Sequence, residues 1–255
     1  MTRDCASPCN PSSPGSEQPI PPRGPCAARR RPSPREARMA LWLASDVHAC
    51  VIDEDIVFLD VAADAYLCFV QAVDQIALGE GGRVSTGDAS YARTLIEVGL
   101  ASLEPRPAVR AIPPKPSFDL GVAVRRPGPR EIAAALMASA VAARDFRGLT
   151  FEQLLARARL GRSPCDAARD AGRREAVCDA AATFALMRPW SPVGGTCLKR
   201  SYQLLDYLRR LGLDADWVIG VRTWPFMAHC WLQSESVALD DDVERLIAYT
   251  PILAI

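Results

Sequence analysis

The sequence predicts an α+β protein with two folded parts behind an N-terminal tail. Proline-rich stretches without hydrophobic periodicity occupy residues 1–38 and 105–117 and divide the chain. Between them, residues 39–104 carry short β-branched runs separated by turn residues. Beyond them, residues 118–255 run as amphipathic helical patterns that give way to strand-like alternation near the C-terminus.

The bulk numbers exclude several classes. A chain of 255 residues that is 49% hydrophobic can bury a real core. Lys plus Arg equal Asp plus Glu at 30 each, so no overall field draws the protein to nucleic acid or an anionic membrane. No apolar run reaches the roughly 18 residues that a membrane-spanning helix needs. The nine cysteines are an odd number without CxxC spacing, and His48 and His229 are the only histidines. No metal or cofactor is expected, and reduced thiols in a cytoplasmic protein are the economical reading.

In chain order, residues 1–38 are too rich in Pro, Ser, Arg and Gly to order themselves. Arg29, Arg30 and Arg31 precede only a short apolar stretch, Met39–Ala44, which soon meets Asp46 and His48, so an export signal is rejected. Met39 opens the first structured segment, and the expectation is that translation starts there or that the preceding residues are a dispensable tail. His48–Ile52 and Ile56–Leu59 read as strands around the turn Asp53, Glu54 and Asp55, and Ala65–Phe69 as a third strand. Helices are expected at about Val70–Leu78 and Thr86–Val98, the second capped by Ser85 or Thr86 and stopped by Gly99. Three strands followed by helices form a winged-helix-like arrangement. A DNA-binding winged helix is a rival, but Tyr91–Val98 carries too few basic residues to track phosphates. Residues 105–117 are an extended, semi-rigid connector. Helices then follow at Glu131–Asp145, at Thr150–Leu160 with Thr150 as cap, and at Arg173–Met187, whose Val177, Ala181, Phe184 and Leu186 are available to pack. Pro189, Pro192, Gly194 and Gly195 enforce a turn beside Trp190.

The stretch Gly194–Gly212 organises the C-terminal part. Thr196 suits an N-cap and Gly212 a C-terminal stop at positive φ. Leu198, Tyr202, Leu205, Leu208 and Leu211 form an apolar stripe, with Lys199, Gln203, Asp206 and Arg210 opposite. Cys197 therefore stands at the first helical position, where free amides and the helix dipole favour thiolate over thiol. Ala228–Gln233 then alternates as a strand, with His229, Trp231 and Gln233 on one face and Ala228, Cys230 and Leu232 on the other. A turn over Ser234–Ser236, a run Val237–Leu239 and the acids Asp240–Asp242 follow. A hairpin centred on Glu235 places Asp241 opposite His229, whereas a four-residue turn places Asp242 there. Taken singly, the cysteine suits a buried core, the histidine a strand interior and the acids a solvated strand end. Together, and in this order, they make a nucleophile, a base and an orienting carboxylate.

In this order the set resembles transglutaminase-like and papain-like cysteine peptidases. The strings Cys197–Ser201, Leu208–Gly212, Trp217–Arg222, Pro225–Trp231 and Leu239–Asp241 resemble more closely the lasso peptide biosynthesis B proteins, over about residues 120–255. In that family a leader peptidase of transglutaminase-like fold removes the leader from a ribosomally made precursor. By this resemblance Cys197, His229 and Asp241 occupy the catalytic positions. The family often has Ala after its histidine and Asn before its acid, where this chain has Cys230 and Asp240. The N-terminal half, 39–104, resembles the peptide-recognition domain typified by the pyrroloquinoline quinone chaperone, and the N-terminal half of fused lasso B proteins. That implies a leader added as a β-strand beside Ala65, Tyr66, Leu67, Cys68 and Phe69. The implied chain has a tail (1–38), a winged-helix-like leader-recognition domain (39–104), a linker (105–117) and a transglutaminase/papain-like cysteine peptidase domain (118–255). It hands the core peptide to a separate ATP-dependent lasso cyclase. Two alternatives remain open: an amide-forming transglutaminase, and a noncatalytic peptide-delivery protein.

Overall fold

The structure, a computed structural model, describes residues 41–107, 109–122, 125–161, 171–188 and 196–255. The expectations for the tail, for Met39 as a start and for the turn around Trp190 lie outside the described residues.

The N-terminal half is built on β-hairpins. Strands β1 (Leu41–Leu43), β2 (Val47–Ile52), β3 (Asp55–Asp60) and β4 (Ala65–Phe69) come first. β5 (Ile76–Leu78) and β6 (Arg83–Thr86) then precede helix α1 (Ala89–Glu97) and β7 (Ala101–Ser102). They form two sheets, ordered β2-β3-β4 and β5-β6-β1-β7. β4 has the bounds read from the sequence and is an edge strand. The β2–β3 turn is tighter than expected: Ile52 pairs with Asp55, and Asp53 takes φ 53°. The helix expected over Val70–Leu78 is absent. Gln71 has φ 52°, and Ile76–Leu78 pairs instead with β6. Val70–Gln75 runs as turns, and pairing of Ile76–Leu78 with β6 outweighs the apolar spacing that suggested a helix. The second expected helix starts later, at Ala89. Its cap is Asp88, whose Oδ1 accepts from the amides of Ser90 at 2.6 Å and Tyr91 at 3.2 Å. Among its described residues this half therefore has one α-helix and two sheets, not three strands followed by two helices.

The C-terminal half begins with three helices, α2 (Pro129–Gly148), α3 (Phe151–Leu160) and α4 (Ala171–Met187). Thr150 caps α3 as expected, its hydroxyl accepting the Gln153 amide at 3.3 Å. In α4, Val177, Ala181 and Phe184 are buried, but Leu186 faces solvent. Helix α5 (Cys197–Arg210) follows, then β8 (Asp216–Arg222), β9 (Met227–Ser234), β10 (Val237–Ala238), the short α6 (Val243–Leu246) and β11 (Thr250–Ala254). The sheet order is β10-β9-β8-β11, antiparallel throughout. Among the described residues no helix is long and apolar enough to cross a membrane.

β3 joins the halves because both of its faces are buried. Ile56 and Phe58 point into a core with Leu41, Ile76 and Leu95. Val57 and Leu59 point the other way, into a core with Ala138, Leu205 and Trp217 from the helices and the C-terminal sheet. This is the period-two alternation of a strand applied to a two-sided core. The connector runs along the C-terminal half. Gln233 Nε2 donates to Pro114 O at 2.9 Å, Ser117 N donates to Ser236 O at 2.7 Å, and Phe118 bridges to Val237.

Gly220 in β8 is where that sheet tolerates no side chain. A Cβ there would lie 2.8 Å from the Trp231 ring and 3.2 Å from Tyr249 Cβ. Trp231 is fully buried and cannot yield. Gly220→Ala is therefore expected to destabilise the protein by about 1–3 kcal/mol, as overpacked cores do. The check is a lowered urea midpoint at unchanged slope.

Candidate active site

The first turn of α5 packs on β9, and this contact assembles the site. Thr196 occupies the N-cap with extended backbone, but its side chain makes no capping bond. The hydroxyl expected to satisfy a first-turn amide does not do so, which leaves those amides free for an anion. Gly212 takes φ 79° after the helix, as expected. Asp206 Oδ2 accepts from Arg210 Nε at 2.6 Å, one helical turn apart. Gln203 departs from the expected exposed face. It is buried, and its Nε2 donates to Ser139 Oγ at 2.5 Å on α2. The helix is covered by α2 on one side and by β9 on another, so its buried arc is wider than one stripe.

Cys197 is half-buried, and its sulfur is hydrogen-bonded by the Cys230 thiol, by His229 and by the Cys230 backbone amide. These donors, in that order of effect with burial opposing, pull its pKa down to about 3. On His229, burial favours the neutral ring, but hydrogen bonds to the Cys197 sulfur and to Asp241 outweigh it and raise the pKa. His229 Nε2 lies 2.6 Å from Asp241 Oδ2, which leaves Nδ1 for the sulfur. The rings of Tyr249, centred 5.1 Å away, and Trp231, at 6.4 Å, shield the imidazole. The arrangement favours a thiolate on Cys197 paired with a protonated His229.

Asp241 reaches His229 by a route the sequence did not favour. Ser234 pairs with Val237, so the hairpin has the four-residue turn rather than one centred on Glu235. Glu235 takes φ 53° within it. Continued, that register would set Asp242 opposite His229. The ladder stops instead: Leu239 N still donates to Leu232 O at 2.9 Å, but Asp240 turns inward. Its Oδ1 accepts the Leu232 amide at 2.8 Å and its Oδ2 the Ser201 hydroxyl at 2.6 Å. The break swings Asp241 to the imidazole. Burial pushes the Asp240 carboxyl up against those bonds. Burial also opposes ionisation of Asp241, but the Asp242 amide and His229 outweigh it and hold its carboxyl below the ordinary range.

Arg200 and Ser201 belong to the site and were not singled out from the sequence. Arg200 Nη2 donates to Asp241 Oδ2 at 2.9 Å, and its Nε lies 3.7 Å from Asp240 Oδ2. Ser201 links the helix to Asp240. The available signal was spacing: they stand three and four residues after Cys197, on the same helix face.

Of the proposed leader-contacting residues, Tyr66 packs against the core that also holds Cys197. Burial raises its phenol pKa, and Cys230 and Cys197 add to the shift. Its ring packs 5.4 Å from Phe226, in the turn between β8 and β9. The neighbouring Trp224 is largely exposed, but its Nε1 donates to Asp55 Oδ2 at 2.9 Å at the start of β3. Ala65 and Leu67 are part-exposed and Cys68 is exposed on β4, while Phe69 turns an edge to Phe58, with centroids 5.3 Å apart. His48 lies apart from the triad, buried in β2, where burial and then Arg106 lower its pKa to about 4. It lines a separate cavity of about 690 Å3 with Arg106 and Arg159.

Residues 133–254 match the transglutaminase-like superfamily. The span holds Cys197, His229 and Asp241, and members of this superfamily are typically cysteine-dependent enzymes. The chain is thus a mixed α/β protein with a transglutaminase-like domain. No curated protein and no solved structure matches it.

The ion pair has a direct consequence for reactivity. The Cys197 pKa lies far below the ordinary 9.0, so the thiolate persists as pH falls until about 3. Alkylation of Cys197 by iodoacetamide, followed by mass spectrometry, is expected to stay near its plateau rate from neutral pH down to about pH 4. An unactivated cysteine would lose roughly tenfold in rate per pH unit over that range. Asp241→Asn is expected to move the inflection upward, because the imidazolium then loses its anionic partner.

Proposed function

We propose that this chain is a cysteine peptidase that binds the leader of a ribosomally made lasso precursor and hydrolyses the leader–core bond. The observation that carries the reading is the Cys197–His229–Asp241 set, with an edge strand, β4, whose Tyr66 packs against the same core as Cys197. A triad alone suits many acyl transfers. A triad beside an open strand edge suits an extended peptide, which can pair its backbone with β4 and run on to the nucleophile.

The chemistry follows from the resting ion pair. The Cys197 thiolate attacks the last carbonyl of the leader. The tetrahedral oxyanion forms at the start of α5, where the Cys197 backbone amide is a donor that the helix ladder does not use. As the C–N bond breaks, the His229 imidazolium passes its proton to the departing core amine. The thioester remains on Cys197. Water, deprotonated by His229, then releases the leader as a free carboxylic acid and restores the thiolate. Asp241 holds the ring and its charge through both steps. The freed core amine is the group that an ATP-dependent cyclase joins to a side-chain carboxyl. Holding the leader on the same molecule raises the local concentration of the scissile bond. Free thiols at Cys50, Cys68, Cys178, Cys197 and Cys230 are compatible with a cytoplasmic setting.

Incubating the full chain with the precursor peptide encoded beside its gene tests the reading. Mass spectrometry is expected to show a leader carrying a free carboxyl and an intact core. Cys197→Ala is expected to abolish cleavage while leader affinity stays within about twofold, because a strand-pairing site does not depend on the sulfur. A leader joined to an added amine would indicate acyl transfer, and cleavage by Cys197→Ala would remove the cysteine mechanism.

A further inference from the structure

The Cys230 thiol is a hydrogen-bond partner of the Cys197 sulfur, and hydrolysis as derived above gives it no bond to make or break. Cys230 follows His229 on β9, points to the opposite face and is buried under α5. Its sulfur also lies 3.9 Å from Ser201 Oγ, which itself stands 3.0 Å from Cys197 O. The two cysteines are thus held together by the same helix–strand contact that builds the site. We infer that Cys197 and Cys230 form a peroxide-sensitive thiol pair, in which oxidation of the nucleophile is captured as a reversible disulfide. The inference rests on Cys197 being the reactive nucleophile of the proposed peptidase and adds the regulation of that site.

The two sulfurs are differently prepared. Cys197 is held as thiolate and is part-exposed, the form and access that peroxide attack requires. Burial lifts the Cys230 thiol well above its ordinary value, so it waits as a protonated partner. Burial also holds Cys50 up at about 12 and raises Cys178 and Cys68, so among the described cysteines oxidation selects Cys197. In the first step the Cys197 thiolate attacks one oxygen of hydrogen peroxide. An S–O bond forms, the O–O bond breaks, and the hydroxide released takes a proton to become water. In the second step the Cys230 sulfur attacks the Cys197 sulfenic acid. The S–S bond forms, the S–O bond breaks, and the hydroxide leaves as water with the Cys230 proton. Two sulfurs together lose two electrons and peroxide gains them. The disulfide removes the nucleophile, yet spares it from sulfinic and sulfonic acid, which thiol reductants do not reverse.

The test exposes the full chain to hydrogen peroxide and maps its cysteines by non-reducing digestion and mass spectrometry. The expected result is a cross-linked peptide pair containing Cys197 and Cys230, short of two hydrogens, together with loss of cleavage activity that dithiothreitol restores. In Cys230→Ala, and in Cys230→Ser as a second variant, Cys197 is expected to reach sulfinic and sulfonic acid, which dithiothreitol leaves in place. Wild-type Cys197 progressing to sulfinic acid without the cross-link would overturn the inference, as would sulfenic acid in the variants that dithiothreitol fully reverses under the same dose. The cross-link is read by mass alone. A linked pair in a protein without peptidase activity would therefore sink only the proposed reaction, and an active peptidase without the link would sink only the switch.

Discussion

The seat of a negative sulfur on the end of α5, pressed against β9, is the constraint on which the rest of the site depends. A thiolate there needs donors, and the local structure supplies three: the Cys230 thiol, the His229 ring and the Cys230 backbone amide. Each donor in turn needs its own support. His229 is favoured in its protonated form by the Cys197 sulfur and then by Asp241, 2.6 Å from its far nitrogen. Asp241 stays charged under partial burial because Arg200, the Asp242 amide and the imidazolium surround it. The chain of charges runs from one end of the helix turn to the other and closes on α5 itself, since Arg200 is one turn beyond Cys197. Cys197 and Asp241 are therefore positioned by the same helix turn, and a displacement of α5 would disturb both.

β3 extends this rigidity to the N-terminal half. A strand buried on both faces cannot slide relative to either core without exposing apolar side chains, at roughly 25 cal/mol per Å2 uncovered. Val57 and Leu59 are locked among the helices while Ile56 and Phe58 are locked in the N-terminal core. The whole of β4 pairs with β3, from Ile56–Phe69 to Asp60–Ala65, so its outer edge inherits the same fixed position. Asp55 at the start of β3 holds Trp224, and Tyr66 on β4 holds Phe226, both in the turn that feeds β9 and His229. The half that carries β4 and the half that carries Cys197, His229 and Asp241 are tied together at the turn leading into β9.

What was legible in the sequence follows from what is local. Cys197 at the head of a helix, the faces of β9 and the bounds of β4 are readable because caps and period-two alternation depend on near neighbours. The hairpin register was not, because a turn of Ser, Glu and Ser lacks a residue that fixes its type. Glu235 adopts positive φ there without the Gly or Asn that would signal it. Asp241 is nevertheless the partner of His229 because the ladder breaks at Asp240, an event decided by a tertiary bond to Ser201 on a different element. Gln203 was assigned to the wrong side for a similar reason. A polar residue on a helix is read as exposed, and only the arrival of Ser139 on α2 gives it a buried partner. The helix expected over Val70–Leu78 failed where strand pairing with β6, invisible locally, outweighed an apolar spacing.

Asp240 shows why the acids come as adjacent residues. A carboxyl buried this deeply is costly unless every lone pair is used. Asp240 accepts the Leu232 amide with one oxygen and the Ser201 hydroxyl with the other, with Arg200 beyond. Those bonds staple the departing chain to both β9 and α5 at the point where the hairpin ends. The next residue is then forced outward from that staple, on the side where the imidazole lies. An asparagine at this position could keep the bond to the Leu232 amide through its carbonyl but would have to offer Ser201 a donor instead, reversing that hydroxyl toward Cys197 O or Cys230 O. The acid at 240 thus acts through geometry, fixing the direction of Asp241, and its charge is balanced by Arg200 rather than spent on the histidine.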